Sequence, residues 1–252
     1  IQAVFAQKGI DAQKRGQKVA LTWEAVFADR TGDFLRQAQN VGYGAGLSKE
    51  KRVIDAIVDE NTGSKSAAVG GHRYHWRGTS YATFQTSTPW DNVITSNALV
   101  NWTDIENAEL ELSRIRDPHT SEPINIMPNA IVVTMQLKYT AYYILRSTQI
   151  RVNAGGFDTS NTTSFQYSPN FLPNLRVLTS KLLETRMTTD TDWYLADLKK
   201  AVAYKEIRPL KVEQAPAGHP DEFDREVVNQ WKVSEFGNAF VQEPRAIAES
   251  RA

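Results

Sequence analysis

The chain has 252 residues, with 29 basic and 29 acidic side chains, so its formal net charge is zero. Proteins that hold nucleic acid in a basic groove carry a clear positive excess, so the balance argues against that class. The chain has no cysteine, which excludes disulfides, cysteine-based zinc sites and thiol nucleophiles and fits a reducing compartment.

The first residues show little periodicity. Residues 1–16 include Lys8, Lys14 and Arg15 but few apolar positions at regular spacing. We therefore expect them to form the end of an extended loop or arm. Residues 19–23 predict a short strand, and residues 24–29 a helical piece that leads into the next element.

A long helix over residues 31–60 is the dominant predicted element, since apolar residues recur at helical spacing on both sides of its centre. That centre, residues 42–46 (GYGAG), contains three glycines, and each costs a helix about 1 kcal/mol relative to alanine. Glycines are tolerated where another backbone comes close or where a helix bends. We interpret the segment as a packing or bending site; a plain break between two helices is the alternative.

The next part of the chain alternates between strands and helices. Residues 72–86 predict a hairpin with its turn at 77–79, and residues 130–134 a short buried strand. A capping box at 103–106 predicts the start of a helix that ends at 117–118. Residues 137–147 predict another helix. In the helix that starts at the capping box, the buried stripe is expected to comprise Ile105, Ala108, Leu112 and Ile115.

The last hundred residues are richer in β pattern. Residues 153–170 are rich in Gly, Ser, Thr and Asn and predict a loop. The order of elements indicates an α+β chain, with residues 102–206 as one lobe and the two ends joined as another. Strands or extended segments are predicted at 175–179, 210–214, 227–233 and 239–241, a mixed segment at 193–204, and a turn at Gly237-Asn238.

Histidines and aspartates are the side chains that could form a metal site. His72 and His75 lie in a predicted strand, whose alternation sends them to opposite faces. His119 and His219 lie beside prolines in predicted turns, where simple exposure is expected. An acidic group lacks the glycine that a calcium loop requires, so no metal ligand is predicted there. Its members are Asp190, Asp192 and Asp197.

Signatures of enzymes are also missing from the sequence. It contains no GxSxG elbow, GxxxxGK[ST] phosphate loop or GxGxxG turn. The six tryptophans could stack sugars or bases, but core and interface positions are favoured for Trp. No catalytic, cofactor-binding or metal-binding residue is predicted. No apolar run approaches the roughly 20 residues that span a bilayer, and no signal peptide is expected.

Five stretches, taken in chain order, carry a family resemblance. The stretches are 18–60 (KVALTWEAVF…), 71–90 (GHRYHWRGTS…), 123–148 (PINIMPNAIV…), 172–183 (LPNLRVLTSKLL) and 190–246 (DTDWYLADLK…). They resemble tailed-phage major capsid proteins of the Hong Kong 97-type fold, in the branch of Mu-like and prophage head subunits. The similarity depends on the order of the stretches, because none contains a catalytic motif.

The resemblance implies a specific domain organisation. Residues 17–101, with the spine helix 31–60, and residues 207–252 would form a peripheral domain, and residues 102–206 an axial domain. Residues 1–16 would be the end of an extended loop that reaches a neighbouring subunit. Some members crosslink a lysine of that loop to an asparagine near the final turn. Residues 219–224 contain no asparagine, so we do not carry the crosslink over.

The resemblance also implies a function. It indicates a major capsid protein, not an enzyme, that assembles through pentamers and hexamers into an icosahedral shell around double-stranded DNA. Scaffold, portal and decoration proteins are the implied partners, without cofactor, membrane or sequence-specific DNA contact. Its place is the virion, after assembly in the host cytoplasm. The alternatives are an encapsulin-like or gene-transfer particle shell and, from another class, a carbohydrate- or nucleic-acid-binding module.

Overall fold

The computed structural model of the chain combines helices and strands, as an α+β protein does. It describes residues 6–7, 12–28, 31–58, 73–76, 79–87, 89–117, 120–153, 165–170, 172, 174–187, 189–216 and 218–252.

The N-terminal part contains seven strands and three helices of very different length among its described residues. In chain order they are β1 (Ala6–Gln7), β2 (Gln13–Thr22), α1 (Trp23–Phe27), α2 (Thr31–Val58), β3 (Arg73–Trp76), β4 (Thr79–Ala82), β5 (Thr86–Ser87), β6 (Trp90–Asp91), β7 (Val93–Ile94) and α3 (Trp102–Arg114).

The C-terminal part contains the longest strands. In chain order its elements are β8 (Ala130–Val133), α4 (Lys138–Arg146), β9 (Gln149–Asn153), β10 (Phe165–Pro169), β11 (Arg176–Thr179), α5 (Lys181–Glu184), β12 (Trp193–Ala196), α6 (Leu198–Ala201), β13 (Val202–Gln214), α7 (Pro220–Arg225), β14 (Val227–Val241), a 3-10 turn (Pro244–Ala246) and β15 (Ile247–Ser250).

The chain divides into two compact units. The first comprises the described parts of Ile1–Gln7, Val58–Val202 and Val241–Ala252, and the second those of Lys8–Ile57 and Ala203–Phe240. These units group the residues differently from the predicted peripheral and axial domains. Those domains are defined by their place in a shell, which a single chain does not show, so they stay a prediction.

The first unit is built on a five-stranded mixed sheet with the order β11-β8-β12-β15-β7. Every residue of β8, β12 and β15 is buried. Strands covered on both faces are expected to be continuous apolar runs, and the sequences AIVV and WYLA of β8 and β12 are of this kind. Helix α3 packs on β12 and β15, and α4 packs on β11. The core of this unit therefore lies on both sides of β12.

The second unit is built on a three-stranded sheet with the order β13-β14-β2. Strands β14 and β2 are antiparallel, with Trp231 opposite Val19 and Ser234 opposite Gly16. Val41 of α2 packs with Val19 and Val233 in a small apolar cluster. This cluster places one face of the long helix against the sheet.

The structure confirms several local predictions. Helix α2 spans Thr31–Val58 without interruption, so the alternative of two helices joined by a turn is wrong. The hairpin is formed by β3 and β4. In α3, Ile105, Ala108 and Leu112 are buried as the stripe predicts.

Other local predictions were wrong. The cap of α3 is Asn101, whose side chain accepts from Thr103 N, with Asp104 completing the box two residues before the predicted one. Gly237-Asn238 is not a turn, because β14 runs through it to Val241. Residues 165–169, predicted as loop, form β10 and pair with β9. The strand predicted from residue 19 begins at Gln13 and so includes part of the predicted arm.

Candidate functional site

The histidines do not form a site among the described residues. His72 and His119 lie outside the described part of the chain, and only the backbone of His75 is described, on β3. His219, predicted to be simply exposed, caps α7: its Nδ1 accepts a hydrogen bond from the backbone N–H of Glu222 at 3.0 Å. This histidine thus has a structural role.

The three aspartates of the acidic group are held apart by separate structural contacts. Asp192 accepts from the backbone N–H of Ala252 at 2.9 Å, and Asp197 accepts from Asn129 Nδ2 at 2.7 Å. Asp190 contributes its carbonyl, which accepts from Thr134 Oγ1. No group of three or more metal-ligating side chains comes together within the described ranges.

Two of the six tryptophans belong to the core of the first unit. Trp90 and Trp193 are almost fully buried. Their indole nitrogens donate to the carbonyls of Thr83 and Asn97, each at 2.9 Å. A buried ring whose N–H is satisfied in this way has no free face for a ligand.

A polar cluster in the second unit is the most elaborate arrangement of charged side chains. Arg52 of α2 is buried and donates through Nη1 to the carbonyl of Gly237 at 2.7 Å and to the hydroxyl of Tyr204 at 3.2 Å. The Tyr204 hydroxyl in turn donates to Glu235. Lys49 lies 4.4 Å from the centre of the Tyr204 ring and 3.8 Å from Glu235 Oε1.

The local geometry of three elements brings this cluster together. Lys49 and Arg52 are three residues apart and therefore share a face of α2. Tyr204 and Glu206 are two apart on β13, so they point to the same side of the sheet. Lys49 Nζ and Glu206 Oε1 form an ion pair at 3.2 Å. The polar cluster is defined here as Lys49, Arg52, Tyr204, Glu206 and Glu235.

Burial changes the ionisation of the groups in and beside the polar cluster. Burial, followed by the hydrogen bond to Glu235, raises the pKa of Tyr204 to about 12. Burial and the nearby charge of Arg52 lower the pKa of Arg15. Burial raises the pKa of Asp55, although the charge of Arg15 opposes it. The cluster is thus a partly desolvated set of charges that fixes α2 to the sheet.

Sequence reasoning missed the polar cluster. The helical spacing of Lys49 and Arg52 was a visible signal, but both belong to the charged run 49–52 (KEKR), which is typical of a solvated helix face. Their partners lie more than 150 residues away along the chain, at Tyr204, Glu206 and Glu235. No periodicity in the sequence connects positions that far apart.

Exposed aromatic side chains form a second kind of candidate site. On α4 of the first unit, Tyr139 and Tyr143 are 69% and 78% exposed and lie one helical turn apart. On α1 of the second unit, Trp23 and Phe27 have the same spacing and are 57% and 87% exposed. Grouped exposed aromatics mark protein–protein contacts more often than isolated ones do.

The outer strand of the second unit adds an edge that pairs with no other described strand. Strand β13 ends the sheet order, and Pro209, which lacks an N–H, fits such a position. Ile207, Leu210 and Val212 on this strand are all exposed. An apolar edge strand is a template for pairing with another chain.

Among the described residues, no helix is both long and apolar enough to cross a membrane.

Comparison with protein-family models gives a match that covers almost the whole chain. The model of the family described as phage capsid protein matches residues 6–250. No curated protein matches the sequence.

Solved structures similar to this chain include structures from phages. The structure from cyanophage P-SCSP1u, a capsid, has a TM-score of 0.53 and 15% identity, over 98% of this chain and 73% of that one. The structure from Mycobacterium phage Che8 has a TM-score of 0.51 and 14% identity, over 96% and 73%. At these identities the likeness concerns the fold alone. The holo-SrpI encapsulin of Synechococcus elongatus PCC 7942 has a TM-score of only 0.48, with 10% identity over 99% of this chain and 82% of the other.

Proposed function

This chain belongs to the phage capsid protein family, and from that premise we propose that it forms an icosahedral shell enclosing double-stranded viral DNA. It is a major capsid shell protein and part of the virion. The match to the family over residues 6–250 is the observation that carries this conclusion. It includes residues of both compact units.

The proposed organisation within the shell follows the Hong Kong 97-type fold. Residues 17–101 and 207–252 form the peripheral domain, with α2 as its spine helix, and residues 102–206 form the axial domain. Residues 1–16 form the end of a loop that contacts a neighbouring subunit. The uninterrupted length of α2 supports the spine, because a helix of 28 residues spans about 42 Å at 1.5 Å per residue.

Contacts between copies of the chain do the work of such a protein, so its role is structural and not enzymatic. Pentamers and hexamers are the proposed assemblies, and scaffold, portal and decoration proteins the further partners, with assembly in the host cytoplasm. A net charge of zero fits a container that encloses DNA without gripping individual phosphates. The exposed aromatic pairs on α4 and α1 are the proposed contact surfaces.

Assembly of the full-length phage protein tests this function. We expect closed particles by electron microscopy, and a sedimentation coefficient far above that of a 28.3 kDa chain. Particles produced during phage growth should contain double-stranded DNA. A protein that stays a small oligomer in all conditions contradicts the shell, and particles filled with protein cargo contradict the enclosure of DNA.

The α4 surface provides a sharper test. Because Tyr139 and Tyr143 are exposed, replacing both with serine should change subunit stability by no more than about 1 kcal/mol, at about 0.5 kcal/mol for each position. Assembly should nevertheless be lost, since the contact area of two aromatic rings is removed. The matched control is Gln136→Ser, which changes a nearby exposed polar residue and should assemble normally. Normal shells from the double variant would exclude α4 as a subunit contact.

A further inference from the structure

A cavity of about 150 Å³ lies within the second unit, where α2 faces the sheet. A cavity needs about 10–15 Å³ on this measure to hold one water molecule, so there is space for a small ion together with water. Arg15, Gly16 and Gly44 line part of it and are exposed, which gives solutes access. Arg52 and Ser234 line its buried part.

The buried part of the cavity contains hydrogen-bonding groups that the protein leaves unused. Arg52 is 3% exposed, and its Nε and Nη2 have no partner within the described part of the chain. Ser234 is 2% exposed, and its Oγ likewise lacks a partner among the described residues. Burying such groups without a partner costs free energy, most of all for a charged donor.

The unused donors of Arg52 have a geometry that selects a particular ligand. Nη1 is occupied by the Gly237 carbonyl and the Tyr204 hydroxyl. The free atoms, Nε and Nη2, form one edge of the planar guanidinium, and their two N–H bonds are parallel. Such an edge matches the paired oxygens of a carboxylate or a phosphate.

The charge of the cavity also favours a carboxylate or phosphate as the ligand. Two arginines, Arg15 and Arg52, line it, against one carboxylate, Glu235. That carboxylate already accepts from the Tyr204 hydroxyl and lies 3.8 Å from Lys49 Nζ, so its charge is compensated. Burial and, next, the charge of Arg52 lower the pKa of Arg15, although the charge of Asp55 opposes the shift. An anion between the two arginines would relieve the repulsion between them.

We propose that this cavity is a binding site for a small oxyanion of the carboxylate or phosphate class. The Nε–Nη2 edge of Arg52 holds two of its oxygens, Ser234 Oγ donates to one of them, and Arg15 closes the exposed side. The oxyanion is either a free ion or a carboxylate side chain of a second copy of the chain. The site is a property of the single chain and does not depend on the proposed function.

Thermal unfolding of the full-length, unassembled chain tests the site with inorganic phosphate as the probe. Phosphate is titrated against sodium chloride at constant ionic strength, so that general screening is the same in both series. We expect a saturable rise in Tm with phosphate, as for any ligand that binds the folded state alone. A Tm that follows ionic strength only, with no difference between the two salts, means a cavity filled by water and overturns the site.

Two variants locate the binding. Ser234→Ala removes a hydroxyl without a partner, and Arg15→Gln removes a charge at the exposed side, so both should fold. Each should raise the Kd for phosphate about tenfold or more, as expected for loss of a bond to a charged group. The matched control is Lys14→Gln, which removes the same charge from the adjacent residue on the opposite face of β2. Equal affinity in all four proteins would place phosphate elsewhere and refute the assignment.

The same titration on assembled shells distinguishes the two sources of the oxyanion. If a carboxylate of a neighbouring copy fills the cavity, phosphate binds the unassembled chain but not the shell. If the natural ligand is a free ion, shells bind phosphate with similar affinity. Either result supports an oxyanion site, because both require binding to the unassembled chain.

Discussion

The three glycines of α2 lead to a prediction whose sign the structure decides. Gly42, Gly44 and Gly46 lie inside an uninterrupted helix, and a Cβ added at any of them meets no described atom within 4 Å. Alanine at these positions therefore gains helix propensity without a clash. At about 1 kcal/mol for each position, the triple alanine variant should be about 3 kcal/mol more stable as a subunit.

Denaturant unfolding of the unassembled chain measures this change. We expect a higher midpoint with an unchanged slope, because the surface exposed on unfolding stays the same. Gly16→Ala is the matched control: its Cβ would lie 2.7 Å from the carbonyl oxygen of Val233, and that backbone cannot move aside cheaply. This variant should lose about 1–3 kcal/mol.

A triple variant that is less stable than the natural chain would refute the reasoning, since it would show that the glycines are packed within the subunit. A gain in subunit stability leaves bending or contact with a neighbour as the reason for the glycines. We propose bending during shell expansion. The variant should then assemble but expand more slowly, and an unchanged expansion rate would argue against a hinge.

Three further predictions concern single side chains. The pKa of Tyr204 is raised from 10 to about 12. The stability that its neutral phenol contributes is therefore complete below pH 10 and lost as the pH rises through 12. The difference in unfolding free energy between the natural chain and Tyr204→Phe should shrink over this pH range. Asn92 is fully buried and bonds the carbonyls of Pro244 and Ile247 and the amide of Gln85. Asn92→Ala should therefore cost about 3 kcal/mol in denaturant unfolding, because buried groups lose their partners. His219→Ala should cost about 0.5–2 kcal/mol through loss of the α7 cap, and His219→Asn, which keeps an acceptor, should restore most of it.

Local patterns determined the elements that the sequence predicted well. The apolar spacing of α2 and α3 and the alternation of the β3–β4 hairpin each lie within one segment of chain. A helix or strand repeats its direction every 3.6 or 2 residues, so its type and its buried face are recorded in its own residues. The order of such segments also carried the family resemblance, and with it the expected function.

Strand partners and side-chain partners were decided by the tertiary structure. Gly237-Asn238 has the composition of a turn, yet Gly237 pairs with Gln13 of β2 and β14 continues to Val241. Strand β15 was not predicted, because its sequence, IAES, has no strand pattern until β12 and β7 cover its two edges. In both cases hydrogen bonds from distant segments outweigh the local preference.

The residues of the polar cluster and of the cavity could not be identified as a site from the sequence, because distant segments of the chain form both. In the sequence, Arg52 ends the charged run 49–52 (KEKR), which is typical of a solvated helix face, but its contacts with Tyr204 and Gly237 are made across 152 and 185 residues. The unused edge of Arg52 exists only because folding buries the side chain while occupying one of its nitrogens. The order of the segments along the chain thus carried the family resemblance, whereas the contacts between distant segments decided where the described residues leave buried donors unpaired.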